Sequence, residues 1–161
     1  MFADRPWEMR LPSIEKGREL HRELHGTEKP APMLTEFVIC RTDLDQCEKE
    51  GRQYQEKFVE SNFYHYEFLG EHFASVKGYD FYQQEVEIAR QIGLVGAVDG
   101  FMKAASWGTP NIILLGLEKR RKLLGEFELN VSFRFGGTPY DVAERGLKLF
   151  AKEVLPVFKS W

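Results

Sequence analysis

Cysteine is scarce in this sequence: Cys40 and Cys47 are the two cysteines among 161 residues. They do not form a Cys-x-x-Cys pair, and no histidine lies at metal-ligand spacing from either of them. A disulfide scaffold and a zinc site are therefore not expected, and we predict no metal site. Two thiols without such a pattern are typical of a reduced protein of the cytoplasm, in which they pack as small hydrophobic side chains.

Long apolar runs and an excess of one charge are also missing. No stretch approaches the roughly 20 apolar residues of a membrane-spanning helix, and residues 1–10 mix charged with apolar side chains, unlike a signal peptide. The chain carries 22 basic and 25 acidic residues, a net charge of −3, and no basic stripe. These absences argue against membrane insertion and against nucleic-acid binding. What remains is the composition of a globular protein of one-domain length.

Two segments of the sequence are predicted as β-strands. Residues 33–41 (MLTEFVICR) are rich in β-branched and aromatic side chains, and residues 127–135 (FELNVSFRF) alternate between apolar and polar ones. Helical patterns occupy residues 12–24, 43–59, 81–92, 95–105, 110–124 and 139–154. Because helices separate the strands, we expect the two strands to be parallel and adjacent, joined by a right-handed crossover.

The second predicted strand has one polar face. The apolar set is Phe127, Leu129, Val131, Phe133 and Phe135, and the polar set is Glu128, Asn130, Ser132 and Arg134. The polar face is either a solvated sheet surface or the lining of a barrel interior, with Ser132 and Arg134 near the carboxyl end, where active sites lie. In the strand at 33–41, Glu36 takes a corresponding interior position and needs a partner. Arg134 or Asn130 is the natural candidate.

Two further features have both a functional and a structural interpretation. His65 lies in the aromatic-rich stretch at residues 54–82, where its imidazole either enters a pocket or makes a local hydrogen bond, and the structural role is favoured. Gly136 and Gly137 precede a predicted helix, whose N-terminus can bind an anion. A plain turn between strand and helix explains the glycine pair equally well.

The last third of the chain contains three distinctive motifs. They are Trp107-Gly108-Thr109-Pro110, Phe135-Gly136-Gly137-Thr138-Pro139 and the closing segment at 147–156 (LKLFAKEVLP). Together they resemble the end of the bacterial luciferase-like flavin-dependent monooxygenases, and the closing segment is the most specific part. Upstream, the strand at 33–41 looks like the penultimate barrel strand of that family, and the aromatic helical stretch is similar to an insertion common in it.

The resemblance implies a fold class, a partial (β/α)8 TIM barrel with two parallel strands and a helix-rich insertion. A whole barrel needs about 250 residues, so the chain corresponds to the C-terminal portion of one. Residues 1–161 then form a single partial luciferase-like domain. Residues 1–32 are its N-terminal helix and linker, and residues 33–161 are the last two strand–helix units.

The resemblance also implies a function, that of an oxidoreductase in which FMN, or a deazaflavin, does the oxygen chemistry on a small-molecule substrate. The expected flavin-binding residues are Ser132, Arg134, Gly136 and Gly137. The expected substrate pocket consists of Glu36, Asn130 and His65. No catalytic residue is identified by the sequence.

The missing barrel strands leave two alternatives. In the first, the chain is part of a flavin-dependent monooxygenase that is inactive until an N-terminal barrel half, supplied by a separate chain or a longer parent, completes it. In the second, the chain is a non-catalytic module of the same fold, with or without bound flavin, that self-associates through its exposed strand edges.

Overall fold

Helices alternate with short strands along the chain, which a computed structural model describes over residues 6–67, 69–78 and 80–161. The helices are α1 (Leu11–His25), α2 (Leu44–His65), α3 (Asp80–Ala104), α4 (Pro110–Leu124), α5 (Tyr140–Glu153) and α6 (Leu155–Lys159). The strands are β1 (Met33–Cys40), β2 (Ser106–Gly108) and β3 (Glu128–Ser132). Within these ranges, none of the helices is both long and apolar enough to cross a bilayer.

The three strands form one parallel sheet in the order β2-β1-β3. Val38 of β1 lies opposite Ser106 of β2, and Leu34 of β1 lies opposite Leu129 of β3. The expectation that the segments at 33–41 and 127–135 pair side by side and in parallel is therefore confirmed. The central strand β1 is buried from Phe37 to Cys40, as a parallel strand covered on both faces should be.

The predicted fold class, a partial (β/α)8 TIM barrel with two strands, is wrong. The described chain is a small α/β domain with six helices and an open sheet of three parallel strands. The sequence missed β2 because Ser106–Gly108 is three residues long, which is too short to show any periodicity.

The helices match their sequence patterns, with three differences, of which one is that the short α6 (Leu155–Lys159) was not expected. Helix α2 continues past Val59, where its pattern was expected to end, as far as His65. The two helices expected between residues 81 and 105 form one element, α3, which is interrupted at Gly93 with φ 63° and ψ −172°. That positive φ is open to glycine at low cost, so the break falls where the sequence allows it.

The sheet has two covered faces. On one face, Val38 and Cys40 of β1 pack with α4, α5 and the start of α6; we call this the α4/α5 face. On the other, Phe37 and Ile39 pack with α2, and we call this the α2 face. Because side chains alternate along a strand, even-numbered residues of β1 lie on the α4/α5 face and odd-numbered residues on the α2 face.

Helix α5 covers the sheet through Phe150. Phe150 is buried and meets the ring of Phe133 edge-on, with the ring centroids 5.4 Å apart. Leu129 and Val131 of β3 border the same cluster. The odd-numbered residues of β3 therefore lie on the α4/α5 face.

The strict alternation expected for residues 127–135 holds as far as Phe133 and fails at Phe135. The chain bends at Phe133, which packs on the α4/α5 face, while Phe135 packs on the α2 face against Phe37 with ring centroids 4.7 Å apart. The prediction that Phe133 and Phe135 share one face is wrong.

Candidate functional site

The carboxyl ends of the strands meet at one edge of the sheet, where open parallel α/β sheets bind their ligands. Arg41 follows β1, Thr109 follows β2, and residues 133–139 follow β3. These positions place residues from α2 and from the N-terminus of α5 beside one another. The candidate site lies at this edge.

Arg41 links three elements at this edge from a buried position. Its guanidinium donates to the carbonyl of Cys40 at 2.7 Å and to that of Val142 in α5 at 2.9 Å. The carboxylate of Glu50 in α2 lies 2.7 Å from the same group. Arg41 therefore connects β1, α2 and α5 at this edge. Its side chain is buried by these contacts and does not face solvent. The sequence did not single out Arg41, which it placed as the last residue of the predicted strand at 33–41.

The segment after β3 presents a second cation to solvent. The guanidinium carbon of Arg134 lies 4.1 Å from the centroid of the Tyr140 ring at the start of α5, and both residues are exposed. The hydroxyl of Ser132 donates to the backbone carbonyl of Arg134 at 3.3 Å. The stacking orients the guanidinium face, while its N–H groups remain available to an anion.

Gly136 and Gly137 form the turn into α5, with φ values of 51° and 75°. A Cβ on Gly136 would overlap the carbonyl oxygen of Tyr54 in α2, so this glycine permits close packing of the two backbones. Gly137 is exposed, and the Lys57 side chain passes 4.0 Å from the position that its Cβ would take. The turn is closed by Thr138, whose N–H donates to the carbonyl of Phe135 at 2.9 Å.

The sequence did not single out Lys57. It lies in the middle of α2, where nothing in the pattern separates it from the other charged residues on the helix surface. The fold brings it to the glycine turn after β3. Of the four expected flavin-binding residues, Ser132, Arg134 and Gly137 are accessible from this edge, whereas Gly136 is turned toward α2.

Glu36 has different partners from those expected. It is fully buried, lies 3.1 Å from the Nε of Arg120 in α4, and accepts a hydrogen bond from the hydroxyl of Ser106 in β2. The expected partnership with Arg134 or Asn130 is wrong. The register places Glu36 opposite Val131, on the α4/α5 face, whereas Asn130 lies opposite Thr35 on the α2 face.

The ion pair of Glu36 sits inside a closed network. Arg120 also donates to the Ser106 hydroxyl at 3.0 Å and to the carbonyl of Ala104 at 2.9 Å, while the Trp7 ring centroid lies 5.8 Å from its guanidinium carbon. Burial raises the pKa of Glu36, and the nearby Arg120 and the Ser106 hydrogen bond oppose that rise. Glu36, Ser106 and Arg120 are all buried, so the network ties β1, β2 and α4 together inside the domain.

The three residues of the expected substrate pocket are not brought together. Glu36 is inside the α4/α5 face, and Asn130 is exposed on the α2 face. His65 is exposed in the last turn of α2, where its ring meets that of Tyr66 edge-on at 5.1 Å. It lies seven residues beyond Phe58, the residue that packs on Phe37 of the sheet. That is about 10 Å along the helix.

The two thiols lie under the carboxyl edge, and both are buried and free. Burial raises the pKa of Cys40 to about 11 and also raises that of Cys47. Such thiols are poor nucleophiles at neutral pH. Within the described ranges, no three histidine, cysteine or acidic side chains are grouped so as to hold a metal ion.

Comparison with known proteins gives likenesses to solved structures and none to protein families or curated proteins. No protein-family model matches the sequence, and no curated protein is similar to it. The chain superposes on the crystal structure of the monooxygenase RslO1 from Streptomyces bottropensis with a TM-score of 0.58 and 15% sequence identity. The match covers 98% of this chain and 41% of that chain. The chain therefore shares a parallel α/β arrangement with about two fifths of a monooxygenase.

Proposed function

We propose that the chain is a segment of a flavin-dependent monooxygenase, and that it holds the phosphate of FMN at the glycine turn after β3. The observation that carries this proposal is the corner formed by Arg134, Gly137 and Lys57 at the carboxyl edge of the sheet. The fold it shares with part of a monooxygenase supports the same class of reaction. So does the resemblance of its closing motifs to the luciferase-like enzymes.

The chemistry of this corner fits a phosphate monoester. Arg134 and Lys57 are both exposed, and neither forms an ion pair within the described part of the chain. The turn leads into the N-terminus of α5, whose dipole favours an anion, and the N–H groups of Asp141 and Val142 already donate to the Asp141 carboxylate. A guanidinium, an ammonium and a helix N-terminus are the groups that proteins use for phosphate.

In this proposal, polar residues on the α2 face of the sheet orient the part of FMN that lies beyond its phosphate. Asn130 and Ser132 supply amide and hydroxyl groups along β3, below the glycine turn. The bound reduced flavin supplies the oxygen chemistry, and the chain binds and orients it. An open three-stranded sheet does not surround a flavin ring, so catalytic turnover needs further strands. Binding of the FMN phosphate does not need them, because the residues that bind it lie on this chain.

The experiment is a titration of FMN with the purified chain, followed by the loss of flavin fluorescence. We expect saturable binding to the chain, and binding of riboflavin at least about tenfold weaker because it lacks the charge-assisted hydrogen bonds of the phosphate. Arg134→Ala and Lys57→Ala should each weaken FMN binding by about tenfold. Neither should change riboflavin binding.

The matched control is Arg22→Ala. Arg22 is an exposed arginine of α1 that pairs with Glu28 at 2.8 Å. Its removal changes the net charge as Arg134→Ala does and touches neither the glycine turn nor the N-terminus of α5. Equal affinity for FMN and riboflavin, or equal losses from Arg134→Ala and Arg22→Ala, would contradict the proposal.

A further inference from the structure

The outer edge of β3 has no strand partner within the described part of the chain. In the described part of the chain β3 lies at the end of the sheet order, and β1 is its strand partner. Free strand edges pair readily with other chains unless charged side chains, proline or a bulge protect them. Residues 128–132 (ELNVS) contain no proline or lysine, their one charged residue is Glu128 at the first position, and their register with β1 runs without interruption. The edge is therefore competent to take another strand.

The hydrogen bonds show which backbone groups face outward. The N–H of Glu128 donates to the carbonyl of Pro32 at 3.0 Å, so Glu128 directs its backbone groups toward β1. In a parallel pair, alternate residues turn both their N–H and C=O to opposite sides of the strand. Asn130 and Ser132 therefore also face β1. Leu129 and Val131 direct their N–H and C=O groups away from the sheet.

We propose that a second copy of this chain pairs with this edge, antiparallel, about a two-fold axis at Asn130. In this register Leu129 of each copy lies opposite Val131 of the other, and the two residues exchange both backbone hydrogen bonds. Two such pairs satisfy the outward groups of both strands. The result is a continuous sheet of six strands. Neither flavin binding nor the monooxygenase assignment is needed for this interface.

The side chains in this register complement one another. On the α2 face, the Asn130 amides of the two copies lie opposite each other and can exchange hydrogen bonds, and Glu128 lies opposite Ser132, whose hydroxyl can donate to the carboxylate. On the α4/α5 face, Leu129 lies against Val131. No like charges are opposed. A segment that complements itself over its whole length fits a second copy of the same chain.

Neighbouring registers are poorer. Moving the two-fold axis to Val131 pairs Leu129 with Phe133, at which the chain bends out of the strand. Moving it to Leu129 pairs Val131 with Phe127, which precedes the strand and packs toward the helices. Both shifts reduce the number of strand residues that are paired. The register centred on Asn130 uses all five.

The first test is the mass in solution, measured by light scattering after size exclusion. We expect a dimer of twice 18.8 kDa. Asn130→Asp places two carboxylates face to face and should weaken the dimer by at least about tenfold, because like charges directly opposite are destabilising. The control is Asn111→Asp, which makes the same charge change at an exposed residue in the first turn of α4. It should leave the dimer intact.

The second test locates the axis. Asn130 is a non-hydrogen-bonded pair in this register, with an expected Cα separation of about 4.5 Å, within the range of a disulfide. Asn130→Cys should therefore form a covalent dimer under mild oxidation, and Asn111→Cys should not. A monomeric wild-type chain overturns the proposal. So does a dimer in which the cysteine at position 130 does not crosslink.

Discussion

The Nε of Arg120 lies 3.1 Å from a carboxylate oxygen of Glu36, and the carboxylate is completely shielded from solvent. The pair joins the central strand β1 to helix α4, and the Ser106 hydroxyl extends it to β2. A buried charge keeps its place only when it is paired and hydrogen-bonded. The burial of either charge therefore depends on the presence of the other.

Removing Arg120 should destabilise the chain strongly. Arg120→Met leaves the carboxylate of Glu36 buried without its cation, and we expect the free energy of unfolding in urea to fall by about 3–5 kcal/mol. The control is Arg121→Met, which breaks the exposed pair with Glu126 and should cost less than about 1 kcal/mol. Replacing both buried partners, as in Glu36→Leu with Arg120→Met, should recover part of the loss. Equal losses of unfolding free energy for Arg120→Met and Arg121→Met would show that the buried pair contributes no more to stability than the exposed pair.

The same carboxylate should make stability depend on pH. Burial raises the pKa of Glu36, so the folded chain binds this proton more tightly than the unfolded chain does. The contribution of Glu36 is thus fully present below the ordinary glutamate pKa of about 4.3, and it is lost as the pH rises through the raised value. The measurement is the stability of wild type minus that of Glu36→Gln between about pH 4 and 8. This difference should decrease with pH, and a flat or rising difference contradicts the prediction.

Gly136 and Gly137 should respond differently to the same substitution. Both have positive φ, so alanine costs about 1–2 kcal/mol in backbone strain at either site. At Gly136 the new methyl also overlaps the Tyr54 carbonyl and lies 3.2 Å from the N of Phe58, which adds about 1–3 kcal/mol of overpacking. Thermal or urea unfolding of the two variants measures the difference directly. If Gly137→Ala is the more harmful, the packing of the turn against α2 has been assigned wrongly.

The sequence was informative where its patterns were long. The paired strands at 33–41 and 127–135 and the helix at 110–124 each show enough residues for a period to appear, and each is present. Pattern alone did not place the partner of Glu36. That partner depends on which face of β1 the residue occupies, and the face follows from the register with β3. Lys57 lies at the candidate site because α2 packs against the turn after β3. The sequence around Lys57 contains no pattern that predicts this packing.

Phe150 is expected to contribute most of the stability that α5 brings to the sheet. It is 5% exposed and contacts Phe133, so Phe150→Ala should cost about 3–5 kcal/mol through lost burial and the cavity left behind. Leu147 on the same helix is 49% exposed and serves as the control. Leu147→Ala should cost less than about 1 kcal/mol. A cost below 1 kcal/mol at Phe150 would mean that α5 is held to the sheet by other contacts.

The two native thiols should be unreactive in the folded chain. Cys40 and Cys47 have no exposed surface, and burial raises the pKa of Cys40 to about 11, so the thiolate that attacks a disulfide reagent is scarce at neutral pH. With 5,5′-dithiobis(2-nitrobenzoate), we expect no fast reaction in buffer and reaction of both thiols in urea. Asn111→Cys is the positive control, since its thiol is exposed and should react at once. The raised pKa also means that stability should fall as the pH rises from the ordinary thiol value of about 8.5 toward the folded value, because the unfolded chain ionises first. Fast labelling of a native thiol in buffer would show that the carboxyl edge opens to solvent, and it would also remove the basis for assigning a crosslink to position 130.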